Sequence, residues 1–148
     1  MERIERHDLN MEIAHSIAKR STCLRKQVGC VITVDNRIVV TGYNGAPAGV
    51  PHCTSETCTG PSCSVAVHAE AAAISFAARK GIALENSILY VTYSPCKKCA
   101  ELILNAGIKQ VIYDEPYRDL SGVEFLSNFI KIHSIEKLRE YTKLEEGY

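Results

Sequence analysis

Ser87-Ile88-Leu89-Tyr90-Val91-Thr92-Tyr93-Ser94-Pro95-Cys96-Lys97-Lys98-Cys99 is the stretch whose reading decides the fold. Residues 87–92 are a nearly continuous apolar run with β-branched and aromatic members, the pattern of a buried strand. Pro95 sits where the start of a helix tolerates proline. Residues 96–106 follow as a helix, ended by Gly107. Downstream, 109–113 reads as another strand, 122–129 as a short helix, 130–133 as a last strand, and the charged tail from Glu136 as a surface helix.

Working back from Ser87, residues 66–80 are alanine-rich and strongly helical, closed by Gly81. Residues 28–33 and 37–41 form two strands around the Asp35-Asn36 turn, a hairpin. In residues 9–19 the apolar positions Leu9, Ile13, Ala14, Ile17 and Ala18 recur at three- and four-residue steps, with Asp8 as the expected cap of an amphipathic helix. Gly42-Tyr43-Asn44-Gly45-Ala46-Pro47-Ala48-Gly49 reads as a loop that runs on to Ser64, a length uncommon in a compact domain unless it is functional or clamped. A hairpin ahead of strand–helix–strand–helix–strand predicts an α/β fold: a mixed five-stranded sheet with helices on both faces. The 148 residues are expected to form a single domain, 1–148, able to bury about 70% of its unfolded surface.

Lys+Arg and Asp+Glu both number 17, so the formal net charge is zero. That balance lacks the broad basic footprint of a nucleic-acid binder, although a local anion site would not show in it. The opening Met1-Glu2-Arg3-Ile4-Glu5-Arg6 is charged with no apolar run behind it, so no signal peptide is expected. No stretch approaches the ~18 apolar residues of a membrane span. A cytoplasmic location follows as the expectation, and there seven cysteines read as metal ligands before disulfides.

Two motifs carry chemistry. His68-Ala69-Glu70 and Pro95-Cys96-Lys97-Lys98-Cys99 supply an imidazole, a nearby carboxylate and a C-x-x-C pair, each at the start of a helix. The positive end of a helix dipole depresses thiol pKa, so Cys96 and Cys99 are expected as thiolates. His68, Cys96 and Cys99 would fill three corners of a zinc tetrahedron and leave the fourth to water. Glu70 is then a proton carrier and not a ligand. C-x-x-C alone also reads as a redox pair or half of a closed structural site, but a closed site would give Glu70 no task.

These residues resemble the zinc-dependent cytidine and deoxycytidylate deaminase superfamily. The resemblance runs from Ser21-Thr22-Cys23-Leu24-Arg25 and Gln27-Val28-Gly29, through Gly42-Tyr43-Asn44-Gly45 and His68-Ala69-Glu70, to Ser94-Pro95-Cys96-Lys97-Lys98-Cys99-Ala100 and Val111-Ile112-Tyr113…Tyr117. It implies a three-layer α/β/α fold and hydrolytic deamination of dCMP to dUMP, with dCTP a further candidate substrate. Glu70 would serve as acid and base in turn. Asn44 would contact sugar and base, and the Ala69 backbone and the carbonyls near Ser94 would read the pyrimidine edge. Arg25 is the first choice for the phosphate, with Arg118 and Lys97 as rivals. The competing readings are a tRNA adenosine deaminase on the same core, which would call for a basic surface, and a non-catalytic zinc-binding module.

Cys30 lies in the first strand as an ordinary buried thiol. Cys23, Cys53, Cys58 and Cys63 remain, four thiols for a structural zinc that would offset the ordering cost of the long loop. The resemblance implies ligands at Cys23 and Cys53; Cys58 and Cys63 complete the set, with His52 in reserve. It further implies a homohexamer activated by dCTP and inhibited by dTTP near the Gly-Tyr-Asn-Gly loop, with Asn44, Gly45 and Arg79 as contributors.

Overall fold

Asp35 and Asn36 both have positive φ, 49° and 65°, the left-handed pair that a tight two-residue hairpin requires. They join β1 (Gly29–Val34) to β2 (Arg37–Tyr43) in antiparallel register, with Gly29 opposite Tyr43 and Val34 opposite Arg37. The computed structural model describes residues 1–58, 63 and 65–146, so positions 59–62 and 64 of the long loop read in the sequence lie outside the described residues. The sheet continues from β1 to β3 (Ile88–Tyr93), antiparallel, then to β4 (Gln110–Glu115) and β5 (Lys131–Ser134), both parallel to β3. Its order is β2-β1-β3-β4-β5, the mixed five-stranded sheet the pattern predicts.

Alternation along the strands sends side chains to two cores. Cys30, Ile32, Leu89, Val91 and Val111 face α2 (Ala69–Lys80), α3 (Lys97–Asn105) and α4 (Ser121–Ser127), meeting Ala73, Ala77, Ala100, Ile103 and Leu126. Val31, Tyr90 and Ile112 face the opposite way, onto Met11 and Ala14 of α1 (Arg6–Ala18) and Ile135 of α5 (Ile135–Glu146). Three layers, α/β/α, result. Among the described residues no helix is long and apolar enough to cross a membrane.

Two local expectations give way. The first helix starts at Arg6, its cap position is Glu5 with no side-chain bond, and Asp8 instead pairs with Arg139 of α5 at 2.7 Å. A tertiary ion pair thus claims the carboxylate that the sequence offers as a cap. Strand β2 runs through Gly42 and Tyr43, which pair with Cys30 and Gly29. A methyl group on Gly42 would lie 2.4 Å from the Ala69 carbonyl oxygen, so this glycine marks close approach of α2 to the sheet and not the start of a loop. The charged tail forms the surface helix expected of it, with residues 136, 137 and 139–144 exposed, and Ile135 and Leu138 seat its inner side on the second core.

Candidate active site

His68 occupies the N-cap position of α2 and Cys96 that of α3, both with extended backbone and neither spending its side chain on a cap bond. Cys99 lies one turn into α3. The parallel β3–β4 unit and the neighbouring hairpin bring these two helix starts together, so the three donors converge from distant sequence. His68 Nδ1 is 3.5 Å from Cys96 Sγ and 3.5 Å from Cys99 Sγ. Tetrahedral zinc with bonds of about 2.05 Å to nitrogen and 2.3 Å to sulfur spans a nitrogen–sulfur edge of about 3.6 Å. The donor set therefore fits zinc in both chemistry and spacing, and among the described residues it is the group whose ligand atoms all lie within 4.8 Å of one another.

The electrostatics are those of a site built to exchange protons for a cation. Cys96 is pulled down to about 4 by hydrogen bonds from Cys99 and His68. Cys99 is pushed up, chiefly because it donates to Cys96, with burial adding to the effect. His68 is raised by the same Cys96 sulfur. One negative charge is thus shared by the pair, held by an imidazole, and a divalent ion would displace the remaining protons.

Glu70 is 4% exposed in the first turn of α2. Burial raises its carboxyl to about 7, opposed by its own backbone N–H and by His68. A carboxyl poised near neutral pH can both hold and release a proton.

These groups open into a cavity of about 160 Å³ whose lining includes Glu70, His68, Cys96, Asn44, Ala69 and Arg25. That is room for about five waters or one small planar ring. Asn44 is 8% exposed, and its amide ties down the preceding loop: Nδ2 donates to the Lys26 carbonyl at 2.7 Å, and Oδ1 accepts from Val28 N–H at 2.8 Å. Ser94 stands behind the wall, where its hydroxyl accepts from Tyr117 N–H at 2.7 Å. Arg118 and Lys97 do not line the cavity. Gly45 and Arg79 line a separate groove with Gly42, Tyr43 and Phe76, and Asn44 does not reach it.

Lys26, Tyr93 and Tyr117 also line the main cavity, and sequence reasoning assigned none of them a role. A lone lysine beside Arg25 and tyrosines at strand and loop ends carry no spacing signal; only their convergence does. Gly122 was missed for a similar reason. A methyl there would lie 2.2 Å from the Pro95 carbonyl oxygen, so α4 presses directly on the turn that carries Cys96.

The remaining cysteines gather more loosely. Cys53 and Cys63 sulfurs are 3.6 Å apart, Cys63 is lowered to about 7 by the backbone N–H groups of Val65 and Ala66, and charges on Cys23 and Cys58 reach Cys53. Cys58 accepts from Arg25 Nε at 3.1 Å. His52 is exposed. Cys30 is fully buried, which pushes its thiol well up.

Residues 4–115 match the cytidine and deoxycytidylate deaminase zinc-binding region. ComE operon protein 2 of Bacillus subtilis is 41% identical over 120 residues, covering 80% of this chain and 64% of that protein. The deoxycytidylate deaminase of Schizosaccharomyces pombe is 39% identical over 119 residues, covering 72% of this chain and 36% of that one. The chain thus spans less than two thirds of the length of either relative. A crystal structure of dCMP deaminase from the cyanophage S-TIM5, in complex with dCMP and dUMP, superposes with a TM-score of 0.82 at 27% identity, covering 91% of this chain and all of that one.

Proposed function

The chain belongs to the cytidine and deoxycytidylate deaminase family through its zinc-binding region, and from that premise we propose that it hydrolyses dCMP to dUMP and ammonia. The observation that carries the reading is the His68–Cys96–Cys99 donor set beside the buried carboxyl of Glu70 on one cavity wall. Relatives named deoxycytidylate deaminase and a neighbour that binds dCMP and dUMP support the choice of nucleotide.

His68, Cys96 and Cys99 would hold a zinc ion, which when bound acts as a Lewis acid and lowers the pKa of water from ~15.7 to roughly 7. Glu70 accepts a proton from the attacking water, places it on N3 of the cytosine ring, and passes a further proton to the nitrogen leaving C4. A carboxyl near 7 is matched to both directions of transfer. The Ala69 backbone at the mouth of α2 orients the ring. Asn44 retains one N–H and one lone pair beyond its bonds to residues 26 and 28, and these address the sugar.

Cys23, Cys53, Cys58 and Cys63 make a second, structural zinc site in this reading, supported by the 3.6 Å separation of Cys53 and Cys63 sulfurs, close to the edge of a zinc tetrahedron. The groove containing Gly45 and Arg79 is the place for dCTP and dTTP to regulate the enzyme, and the exposed rings of Tyr43 and Phe76 beside it offer a face for assembly as a homohexamer. In this reading the domain acts in the cytoplasm on free nucleotides.

Ultraviolet absorbance of the zinc-loaded protein mixed separately with dCMP, cytidine, dCTP and a tRNA anticodon stem tests the reading. Loss of cytosine absorbance with dCMP supports it, whereas no loss with dCMP, or reaction of the tRNA stem alone, overturns it. Sigmoidal dCMP kinetics that straighten with dCTP support the regulatory groove; hyperbolic kinetics indifferent to both triphosphates remove it.

A further inference from the structure

Among the described residues, Arg25 and Lys26 are the lysine and arginine side chains that line the cavity, and they are placed very differently. Lys26 is half-buried, with its ammonium 3.5 Å above the ring centroid of Tyr93 and 5.2 Å from that of Tyr117, two rings that themselves form the cavity wall. Aromatic faces hold an ammonium without neutralising it. Among the described residues Lys26 takes part in no ion pair, so its charge is positioned but not cancelled. Its backbone is fixed from both sides: Asn44 Nδ2 donates to the Lys26 carbonyl at 2.7 Å, and Asn44 Oδ1 holds the N–H of Val28 at 2.8 Å.

Arg25 is exposed, and its Nε donates to Cys58 Sγ at 3.1 Å, which ties it to the cysteine loop. The two other cations considered point away from this task. Lys97 is 3.2 Å from Glu101 and lies over Phe125, while the Arg118 guanidinium stacks at 5.7 Å on Tyr117 and lies outside the lining.

We infer that Lys26, steadied by Tyr93, Tyr117 and Asn44, is the residue that selects a nucleoside monophosphate over the free nucleoside, by a charge-assisted bond to the 5′-phosphate. This rests on the reading of the cavity as a cytosine-nucleotide site. An ammonium already held against two rings has little rotamer freedom left to lose, so the bond to an anion is gained at small entropic cost. Asn44 thereby acts as a positioning residue for the phosphate end as well as a contact for the sugar.

The test compares kcat and KM for dCMP and deoxycytidine in the zinc-loaded full chain, for wild type, Lys26→Gln, Lys26→Arg and Arg25→Gln. Loss of one charge-assisted bond predicts a fall of about 10- to 100-fold in kcat/KM for dCMP with Lys26→Gln. That fall lies almost wholly in KM. Turnover at saturating dCMP stays within about threefold, which also shows that the variant folds, and deoxycytidine is affected by less than about twofold. Lys26→Arg restores most of the loss, and Arg25→Gln shifts the dCMP-to-deoxycytidine ratio by less than about threefold. An unchanged ratio in Lys26→Gln, or a larger loss in Arg25→Gln, overturns the assignment while leaving the proposed reaction standing. Wild-type protein that turns over neither substrate overturns the proposed reaction itself, and this assignment with it.

Discussion

Replacing Gly122 by alanine is expected to loosen the metal site while leaving the fold standing. A methyl group at this position of α4 would lie 2.2 Å from the Pro95 carbonyl oxygen and 2.7 Å from the carbonyl carbon and oxygen of Cys96, where ordinary contact begins at 3.4 Å. Every atom it meets is backbone, so no side chain can swing aside, and the turn carrying Cys96 must withdraw by about 1 Å. Overpacking of this kind costs about 1–3 kcal/mol, a drop in Tm of about 2–12 °C for a chain of this length. Zinc is less forgiving. Its ligand distances hold to within about 0.2 Å, so a shift several times larger is expected to weaken zinc binding by about 10- to 100-fold. A chelator competition titration, run beside thermal melts of the metal-free protein, separates the two effects. Gly81→Ala is the control: its φ is 67°, and an added methyl meets nothing within 4 Å. It should cost about 1–2 kcal/mol of left-handed strain and leave zinc affinity untouched. Wild-type zinc affinity in Gly122→Ala, or equal loosening in Gly81→Ala, refutes the reasoning.

Other outcomes follow from the same geometry. His7 bonds the Tyr90 hydroxyl at 2.8 Å, and burial holds its pKa below 6.5 against the opposing pull of Asp8. The unfolded chain therefore takes up this proton first, so the contribution is complete above about pH 6.5 and declines as pH falls through that value. Melts between about pH 7.5 and 5.5 should show a shallower decline in His7→Asn than in wild type. Cys63→Ser should lower the zinc count from two per chain to one by elemental analysis while sparing dCMP turnover at saturation; an unchanged count rules out that ligand. Cys99→Ser should remove the other zinc and abolish turnover, because Cys99 is one of the three donors that converge there.

The candidate metal donors and Glu70 are legible because their spacing is local and their chemistry restricted. His68 and Glu70 share one turn of α2, Cys96 and Cys99 share one turn of α3, and alanine, proline and glycine mark where both helices begin and end. The sheet was legible from apolar runs and one hairpin turn. Boundaries slipped where tertiary contacts decided them. Gly42 reads as a loop residue until α2 is seen to lie on it, and Asp8 reads as a cap until Arg139 arrives from the other end of the chain. The cavity wall was the least legible part. Lys26, Tyr93 and Tyr117 come from three separate segments, and no periodicity links residues that meet only because β1 lies against β3 and β4 lies beyond it. Arg25 is the residue the sequence favours for phosphate because a guanidinium can grip an anion through two bonds, and nothing in the sequence singles out the lysine beside it.

The proposed reaction rests on a single carboxyl, Glu70, as a carrier of protons and not as a metal ligand. Its most direct test is the rate at which zinc-loaded Glu70→Gln consumes dCMP, followed by loss of cytosine absorbance beside wild type under matched zinc content. Removal of the acid–base group should leave the zinc in place and lower turnover by about 10²- to 10⁴-fold. Wild-type turnover by a variant that still holds its zinc would contradict the account.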